Sequence, residues 1–337
     1  MTRAWIVVVV AACGDGSTAT DTTADAPPPP IVDAAIDAPP TSLLGDATVV
    51  DAPCPQTAPP GSTCKHLTIT HCPGIASESI DATLAIAPAT GTLKGTVVHF
   101  SGAGGEGFQI GGFTAYQAAG FTNVFVSWRT DWELTVAAGA KAAGCRPSTA
   151  LRWIFDNIHA ADRTKAFCGE GFSAGSAQLG YALAHYGMAD YLDYVNELSG
   201  PPFARIDLGC NGDAPATATV CGATVTMKLP ASLDRWETIA APNSCGMTNV
   251  PAAELARWNA DSIAVGGVYD YPNTSVAFFD CTNGATAVTG MAQIYEQLVT
   301  GATYHCYSAA DSCAGENLGT GNQDATNALL AGCVPRH

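Results

Sequence analysis

One pentapeptide constrains the fold of this chain more than any other feature. Gly171, Ser173 and Gly175 form a Gly-x-Ser-x-Gly motif between a short strand-like run and an Ala- and Leu-rich helical pattern that ends near Tyr186. In a sharp strand-to-helix turn, the central serine is strained and its hydroxyl is exposed at the helix N-terminus. Glycine is needed on both sides because a side chain would clash with neighbouring backbone. The motif therefore predicts a nucleophilic serine at position 173.

Apolar segments with strand character alternate with helical segments along the chain. Strands are predicted at 84–88, 96–100, 124–128, 194–198, 275–279 and 304–307, and helices at 113–119, after Pro147, at 290–298 and at 324–331. Such alternation indicates an α/β protein, with a mostly parallel sheet and helices on both faces. Ligands of such proteins bind at the C-terminal edge of the strands.

The run GFSAGS, with a Gly-rich turn upstream and a sheet-like run downstream, resembles the nucleophile turn of the α/β-hydrolase superfamily. The resemblance extends over roughly 240 residues, within the usual size of one such domain. It implies a serine esterase with Ser173 as the nucleophile. It also implies that the oxyanion is held by two backbone N–H groups, those of Ala174 and of Ala103 in the Gly-rich loop 101–107.

The acid and the base of the implied catalytic triad are harder to assign. The resemblance implies the chain order serine, acid, histidine, with the acid just past the strand that ends at Phe279. Asp280 is predicted in this role, although the slot a few residues further on holds Asn283. The loop after the last strand, where the superfamily places its histidine, contains none. His305, within that strand, is predicted as the base, with a structural role for this histidine as the alternative.

The region before residue 61 indicates export. Residues 1–12 resemble a secretory signal peptide, and the lipobox-like run Val10-Ala11-Ala12-Cys13 predicts Cys13 as the lipidated first residue of the mature protein. Residues 13–60 are rich in Asp, Ala, Pro and Thr and contain no aromatic residue, so they are predicted to form a disordered tether. The predicted folded domain is 61–337, facing the periplasm or the cell surface.

An insertion is predicted at residues 203 to about 270, which show no strong strand pattern. Three cysteines and two tryptophans, Trp236 and Trp258, lie in it. It is predicted to be a cap over the active site, whose tryptophans either line an apolar substrate pocket or pack the small core of the insertion itself.

The charge and the cysteine content limit which partners and which cellular compartment fit this chain. The formal net charge of −16 argues against binding to nucleic acid or docking on anionic lipid, so membrane contact is expected only through the lipid anchor at Cys13. An even number of the 13 cysteines remains besides Cys13, which in an exported protein predicts up to six disulfides. No Cys or His pair has metal-ligand spacing, so neither a metal site nor a cofactor is predicted. The plausible local closures are Cys54 with Cys64 or Cys72, Cys210 with Cys221, and Cys313 with Cys333.

Two functions from different classes fit these patterns. The first is an exported carboxylesterase in which Ser173 attacks an ester of a small molecule or a polymer, His305 is the base and Asp280 orients it. The second is a catalytically inactive relative that kept the fold and serves as a surface binding or structural lipoprotein. The missing loop histidine favours the second function, whereas the complete serine motif favours the first.

Overall fold

The computed structural model describes residues 43–75, 78–108, 111–135, 138–214, 216–229, 245–283 and 287–337. The predicted signal peptide, Cys13 and Trp236 lie outside these residues. Among the described residues, no helix has both the length and the apolar composition needed to cross a membrane.

Nine strands form one sheet, and two more form a separate hairpin. The sheet strands are β1 Asp46–Ala52, β2 Thr63–Thr70, β3 Ile80–Ala87, β4 Gly95–Phe100, β5 Phe121–Trp128, β6 Ala166–Phe172, β7 Tyr194–Leu198, β10 Ser275–Cys281 and β11 Thr303–Tyr307, and the hairpin strands are β8 Ala216–Val220 and β9 Ala223–Met227. The sheet order is β1-β2-β3-β5-β4-β6-β7-β10-β11. Pairing is antiparallel up to β5 and parallel beyond it, which confirms the predicted mostly parallel sheet.

Helices cover both faces of the sheet, as predicted. They are α1 Phe113–Ala118, α2 Gly139–Ala143, α3 Cys145–Asn157, α4 Ala174–Tyr186, α5 Ile206–Cys210, α6 Ala252–Asp261, α7 Ala287–Glu296 and α8 Gly321–Gly332. Leu179 of α4 and Met291 of α7 belong to the larger apolar core on one face. Tyr116 of α1 and Leu329 of α8 belong to the core on the other face. The serine motif therefore lies between β6 and α4, near the middle of the sheet.

The predicted tether over 13–60 is wrong for its last part, because residues 46–52 form strand β1. This strand pairs along its whole length with β2 at the edge of the sheet. Val49 packs against the core, and Asp51 faces solvent, where its carboxylate accepts a hydrogen bond from Lys65 at 2.6 Å. Acidic residues are compatible with an edge strand because backbone pairing to an existing sheet orders the segment and every second side chain points to water.

Six disulfides join the cysteines of the described chain, which confirms the predicted disulfide-rich domain. They are Cys54–Cys64, Cys72–Cys145, Cys168–Cys333, Cys210–Cys245, Cys221–Cys306 and Cys281–Cys313. The first was one of the predicted closures. The predicted closures of Cys210 with Cys221 and of Cys313 with Cys333 are wrong, because partners far apart in sequence meet in the fold. Cys168 of β6, for example, pairs with a cysteine 165 residues away.

The insertion after β7 contains α5, the β8–β9 hairpin and α6. The hairpin packs on α7, where Gly290 leaves room for Met227, and a disulfide links its turn at Cys221 to Cys306 of β11. Trp258 of α6 is fully buried in the larger core. Trp258 therefore has a packing role, as one of the two alternatives predicted, but in the larger core and not in a separate small core of the insertion.

Candidate active site

The turn between β6 and α4 has the geometry of a nucleophile elbow. Ser173 has φ 53° and ψ −118°, a conformation that non-glycine residues rarely adopt. A Cβ on Gly171 would lie 2.5 Å from the carbonyl oxygen of Gly175, and a Cβ on Gly175 would lie 2.1 Å from that of Phe100. Both motif glycines are therefore required by close backbone contacts, as the sequence predicts.

The backbone around Ser173 is held by its neighbours in the sheet. The N–H of Ser173 donates to the carbonyl of Leu198 at 2.8 Å, at the end of the adjacent strand β7. Ser176, one turn into α4, is fully buried, and its hydroxyl donates to the carbonyl oxygens of Gly171 and Leu198. These bonds lock the elbow to β7 and hold the nucleophile at the C-terminal edge of the sheet.

The two predicted oxyanion donors lie on segments that flank Ser173. Ala174 is the first residue of α4, and its N–H points out of the helix N-terminus, where such groups have no intrahelical acceptor. A Cβ on Gly102 would lie 3.2 Å from the Cβ of Ser173, so the loop after β4 touches the nucleophile. Ala103 follows with φ 50°. Among the described residues, neither Ala103 nor Ala174 donates its N–H to a backbone carbonyl outside regular elements.

A cleft of about 690 Å³ opens beside this turn; we call it the Phe172 cleft. Its lining residues come from the loop after β4, from the end of β6 and from the segment that follows β11: Ser101, Gly102, Ala103, Glu106, Gly107, Phe108, Phe172, Glu316, Asn317 and Asn322. No described residue of the insertion lines it. Among the described residues, the aromatic walls of the cleft are Phe108 and Phe172, and Trp258 is not one of them.

Asp280, the predicted acid, is fully buried in β10. Burial raises the pKa of Asp280 well above its usual range, and the charge of Glu316 adds to this shift. The carboxyl therefore favours its protonated form in the folded chain. Asn283, at the alternative acid position, has a structural role: its side chain donates to the carbonyl of Cys313 at 3.1 Å.

The structure does not bring His305 together with Ser173 or Asp280. In the parallel pair β10–β11, His305 is opposite Phe279, and the two rings stack with centroids 4.6 Å apart. Since successive strand residues point to opposite faces, Asp280 lies on the other face of the sheet. Strands β7 and β10 also separate β11 from β6, a distance of about 14 Å at the usual strand spacing. The predicted Ser173–His305–Asp280 triad is therefore not assembled.

The other histidines have partners elsewhere in the fold, and all 7 histidines of the chain are among the described residues. Their partners are Asp81 for His66, Asp46 for His71, Asn123 for His99, the carbonyl of Asp162 for His159, that of Ile263 for His185 and that of Leu192 for His337. No histidine lines the Phe172 cleft. None of the seven histidines therefore lies where a base for Ser173 is expected.

A buried polar network beneath the sheet explains why His99 is absent from the cleft. Its Nε2 lies 2.9 Å from Oδ1 of Asn123, and its Nδ1 lies 3.3 Å from the carboxylate of Glu170. Tyr116 donates to the same carboxylate at 2.6 Å. Buried polar groups are costly unless they are hydrogen-bonded, and the bonds to Asn123 and from Tyr116 hold this network on the face covered by α1 and α8.

Sequence reasoning missed the role of residues 313–317, which contribute Glu316 and Asn317 to the cleft. The one signal in the sequence for this segment was that the loop after the last strand contains Glu316 and no histidine. Within the described residues, no three His, Cys, Asp or Glu side chains are grouped as a metal site would require.

Comparisons with known proteins concern the fold. Neither a protein-family model nor a curated protein sequence matches this chain. It is similar to the solved structure of an acetyl xylan esterase from Paenibacillus sp. R4, with 8% identity, a TM-score of 0.53, and 86% of this chain and 89% of that chain covered. An acetyl xylan esterase 1 from Thermoanaerobacterium sp. JW/SL YS485 gives 11% identity, a TM-score of 0.48 and coverages of 78% and 81%. At such low identity, the first likeness establishes a shared architecture and the second adds nothing to it.

Proposed function

We propose that this chain, which has the α/β-hydrolase fold, is an exported serine hydrolase, namely a carboxylesterase that forms an acyl-enzyme on Ser173. The observation that carries the proposal is the backbone of this serine, at φ 53° and ψ −118°. Such strain costs about 1 to 3 kcal/mol, persists only where the surrounding structure enforces it, and clusters at active sites. An ordinary turn would relieve it with glycine at that position.

The surrounding groups fit acyl transfer. Attack of Ser173 Oγ on an ester carbonyl develops negative charge on the carbonyl oxygen. The N–H groups of Ala103 and Ala174 are suited to donate hydrogen bonds to this oxygen. One such preorganised donor typically contributes about 3 to 4 kcal/mol to transition-state stabilisation. The helix N-terminus at Ala174 adds a favourable dipole for the same charge.

The substrate class follows from the Phe172 cleft. Phe108 and Phe172 offer apolar surface for an acyl or aryl group, and the side-chain amides of Asn317 and Asn322 offer hydrogen bonds to a hydroxylated leaving group. The carboxylates of Glu106 and Glu316 disfavour anionic substrates. A neutral ester, either small or attached to a polymer such as an acetylated polysaccharide, fits these walls.

An oxidising compartment completes the proposal. Six disulfides in one domain are typical of exported proteins, because cytosolic thiols are kept reduced. Together with the signal-like residues 1–12, they support export, and the proposed lipid anchor at Cys13 rests on the lipobox-like run Val10-Ala11-Ala12-Cys13. We expect the domain to face the periplasm or the cell surface.

One observation favours a second function. Because every histidine of the chain has its place away from the Phe172 cleft, the fold could serve binding alone, with Ser173 retained as part of a ligand site. In that case the protein is a surface binding or structural lipoprotein without turnover.

A fluorophosphonate probe distinguishes the two functions. An esterase is labelled at Ser173, and Ser173→Ala abolishes both labelling and hydrolysis of a short aryl ester. Ser148→Ala is the matched control, since this buried serine lies on α3, away from the elbow, and donates to the carbonyl of Gly144 in its own segment; it should retain labelling. Absence of labelling in the folded wild-type protein over pH 4 to 9 would refute the esterase and favour the binding protein.

A further inference from the structure

A short turn after β11 is held far more firmly than its exposed position requires. Residues 313–317, the Glu316 turn, follow a capped 3₁₀ turn at Ala309–Asp311 and make no contact with the apolar core except through Cys313. Within the turn, the N–H of Ala314 donates to the carbonyl of Asn317 at 2.9 Å, and the N–H of Asn317 donates back at 3.0 Å. These reciprocal bonds fix the backbone on either side of Glu316.

Three further restraints tie this turn to the C-terminal ends of the central strands. Ser199, which follows β7, donates its hydroxyl to the carbonyl of Glu316 at 2.8 Å. Asn283 accepts from the N–H of Gly315 at 3.0 Å through its own carbonyl, and the disulfide Cys281–Cys313 joins the turn to β10. Ser199 itself is buried at φ 48°, a second strained serine at the same sheet edge.

This bracing places Glu316 at the reacting end of the Phe172 cleft. Its side chain is half-buried and lines the cleft together with Gly102, which contacts Ser173, and with Ala103, a predicted oxyanion donor. Its charge also reaches the buried Asp280, at the end of β10. Glu316 therefore lines the same cleft as the loop that approaches Ser173, and its charge acts on the buried acid.

Only two titratable side chains line the described part of the cleft, Glu106 and Glu316. Glu106 is exposed on the Gly-rich loop after β4, and no hydrogen bond or ion pair of its side chain is found among the described residues. A general base has to be held at hydrogen-bond reach of the proton that it abstracts. Glu316 is half-buried on a backbone that is fixed on both sides, whereas Glu106 is exposed on a Gly-rich loop, so Glu316 is the better held of the two residues.

We propose that the carboxylate of Glu316 is the general base of Ser173, in place of a histidine; this inference rests on the proposed esterase function. As Ser173 Oγ bonds to the ester carbonyl carbon, its proton passes to Glu316 and the carbonyl π electrons move onto the oxygen. When the tetrahedral intermediate collapses, the C–O bond to the alcohol breaks and Glu316 returns the proton to the departing alkoxide. Water then attacks the acyl-enzyme, gives its proton to Glu316, and the acid leaves as Ser173 regains that proton.

Asp280, the buried acid of β10, favours its protonated form. The groups that face Glu316 are Asp280 from β10 and Glu106 from the opposite wall of the cleft.

The pH profile of aryl-ester hydrolysis tests the base without any mutation. Imidazole titrates at about pH 6.5 and glutamate at about pH 4.3 in model peptides, so a carboxylate base keeps its activity where a histidine base is protonated. We expect the acid limb of kcat/KM in the wild-type protein below pH 6. An acid limb near pH 6.5 would overturn the proposal.

Substitutions complete the test. Glu316→Gln should lower kcat/KM by about 100- to 10,000-fold with an unchanged melting temperature, and Glu316→His should restore part of the activity and move the acid limb toward about pH 6.5. Glu296→Gln, a half-buried glutamate on α7 away from the cleft, is the control. If wild-type Ser173 reacts with the probe and Glu316→Gln hydrolyses ester normally, or if Glu106→Gln is the variant that loses activity, Glu316 is not the base and the esterase proposal stands. A wild-type protein without labelling or turnover overturns both.

Discussion

The elbow at Ser173 and the Glu316 turn meet at one edge of the sheet but are built in opposite ways. The elbow is local: five consecutive residues supply the strain and the glycines that relieve its contacts with β4. The Glu316 turn is assembled from a distance, by a serine 117 residues away, an asparagine 30 residues away and a disulfide that spans 32 residues. The comparison teaches that the nucleophile depends on backbone sterics, whereas its proposed partner depends on side-chain links.

The largest effect is expected from a methyl group in the elbow. A Cβ at Gly175 would lie 2.1 Å from the Phe100 carbonyl oxygen, so Gly175→Ala should destabilise the fold by more than about 3 kcal/mol and abolish labelling of Ser173. Gly315→Ala in the Glu316 turn is the matched control. Nothing lies within 4 Å of a Cβ added at Gly315. The left-handed backbone at φ 60° alone should cost the alanine variant about 1 to 2 kcal/mol of unfolding free energy. Denaturant unfolding measures both, and equal losses would contradict the comparison.

Removal of the nearby disulfide should affect the Glu316 turn more than the elbow. Replacing Cys281 and Cys313 by serine together is expected to cost about 2 to 4 kcal/mol of unfolding free energy. It should reduce ester turnover more than probe labelling, because the elbow does not depend on this link. The control replaces Cys54 and Cys64, which lie at the far edge of the sheet, and should leave turnover unchanged. Equal loss of turnover in both double variants would contradict a specific role of Cys281–Cys313.

A smaller effect concerns how stability depends on pH through Glu197 of β7, the strand next to β6. Burial raises the pKa of Glu197 well above its usual range. The folded state therefore keeps the proton while the unfolded state releases it above about pH 4.3, so stability falls as pH rises from there. Glu197→Gln removes this dependence, and its melting temperature relative to the wild type should rise from pH 4 to pH 8. Glu106→Gln, at an exposed site, should show no such trend, and a flat difference for Glu197→Gln would refute the assignment.

The smallest effect is expected at His305. Its ring stacks on Phe279 on the face away from Asp280, so His305→Ala should change ester turnover by less than about twofold. Loss of turnover by several orders of magnitude, as expected when a triad member is removed, would restore His305 as the base. The alanine variant therefore tests whether His305 has any part in the chemistry.

The sequence predicted the features that depend on neighbouring residues better than the features that depend on distant ones. The parallel strands, the elbow and the Gly-rich loop after β4 were predictable because strand patterns and glycine requirements are local in sequence. Strand β1 was missed because its acids and short length resemble a linker, and only pairing with β2 orders it. The disulfide partners and the links to Glu316 were not predictable, because they depend on which strand ends the fold brings together. The wrong prediction of His305 as the base rested on the order serine, acid, histidine along the chain. This order does not specify the face of the sheet to which a strand residue points.

The edge strand β1 has a consequence for how the protein can be shortened. A chain that starts at residue 61, where composition alone suggests that folding begins, loses the partner of β2 along its full length and leaves Cys64 with a free thiol. Such a molecule exposes a row of unpaired backbone groups beside a reactive sulfur, and both promote association between copies. Keeping residues 43 onward retains the strand that closes this side of the sheet against self-pairing.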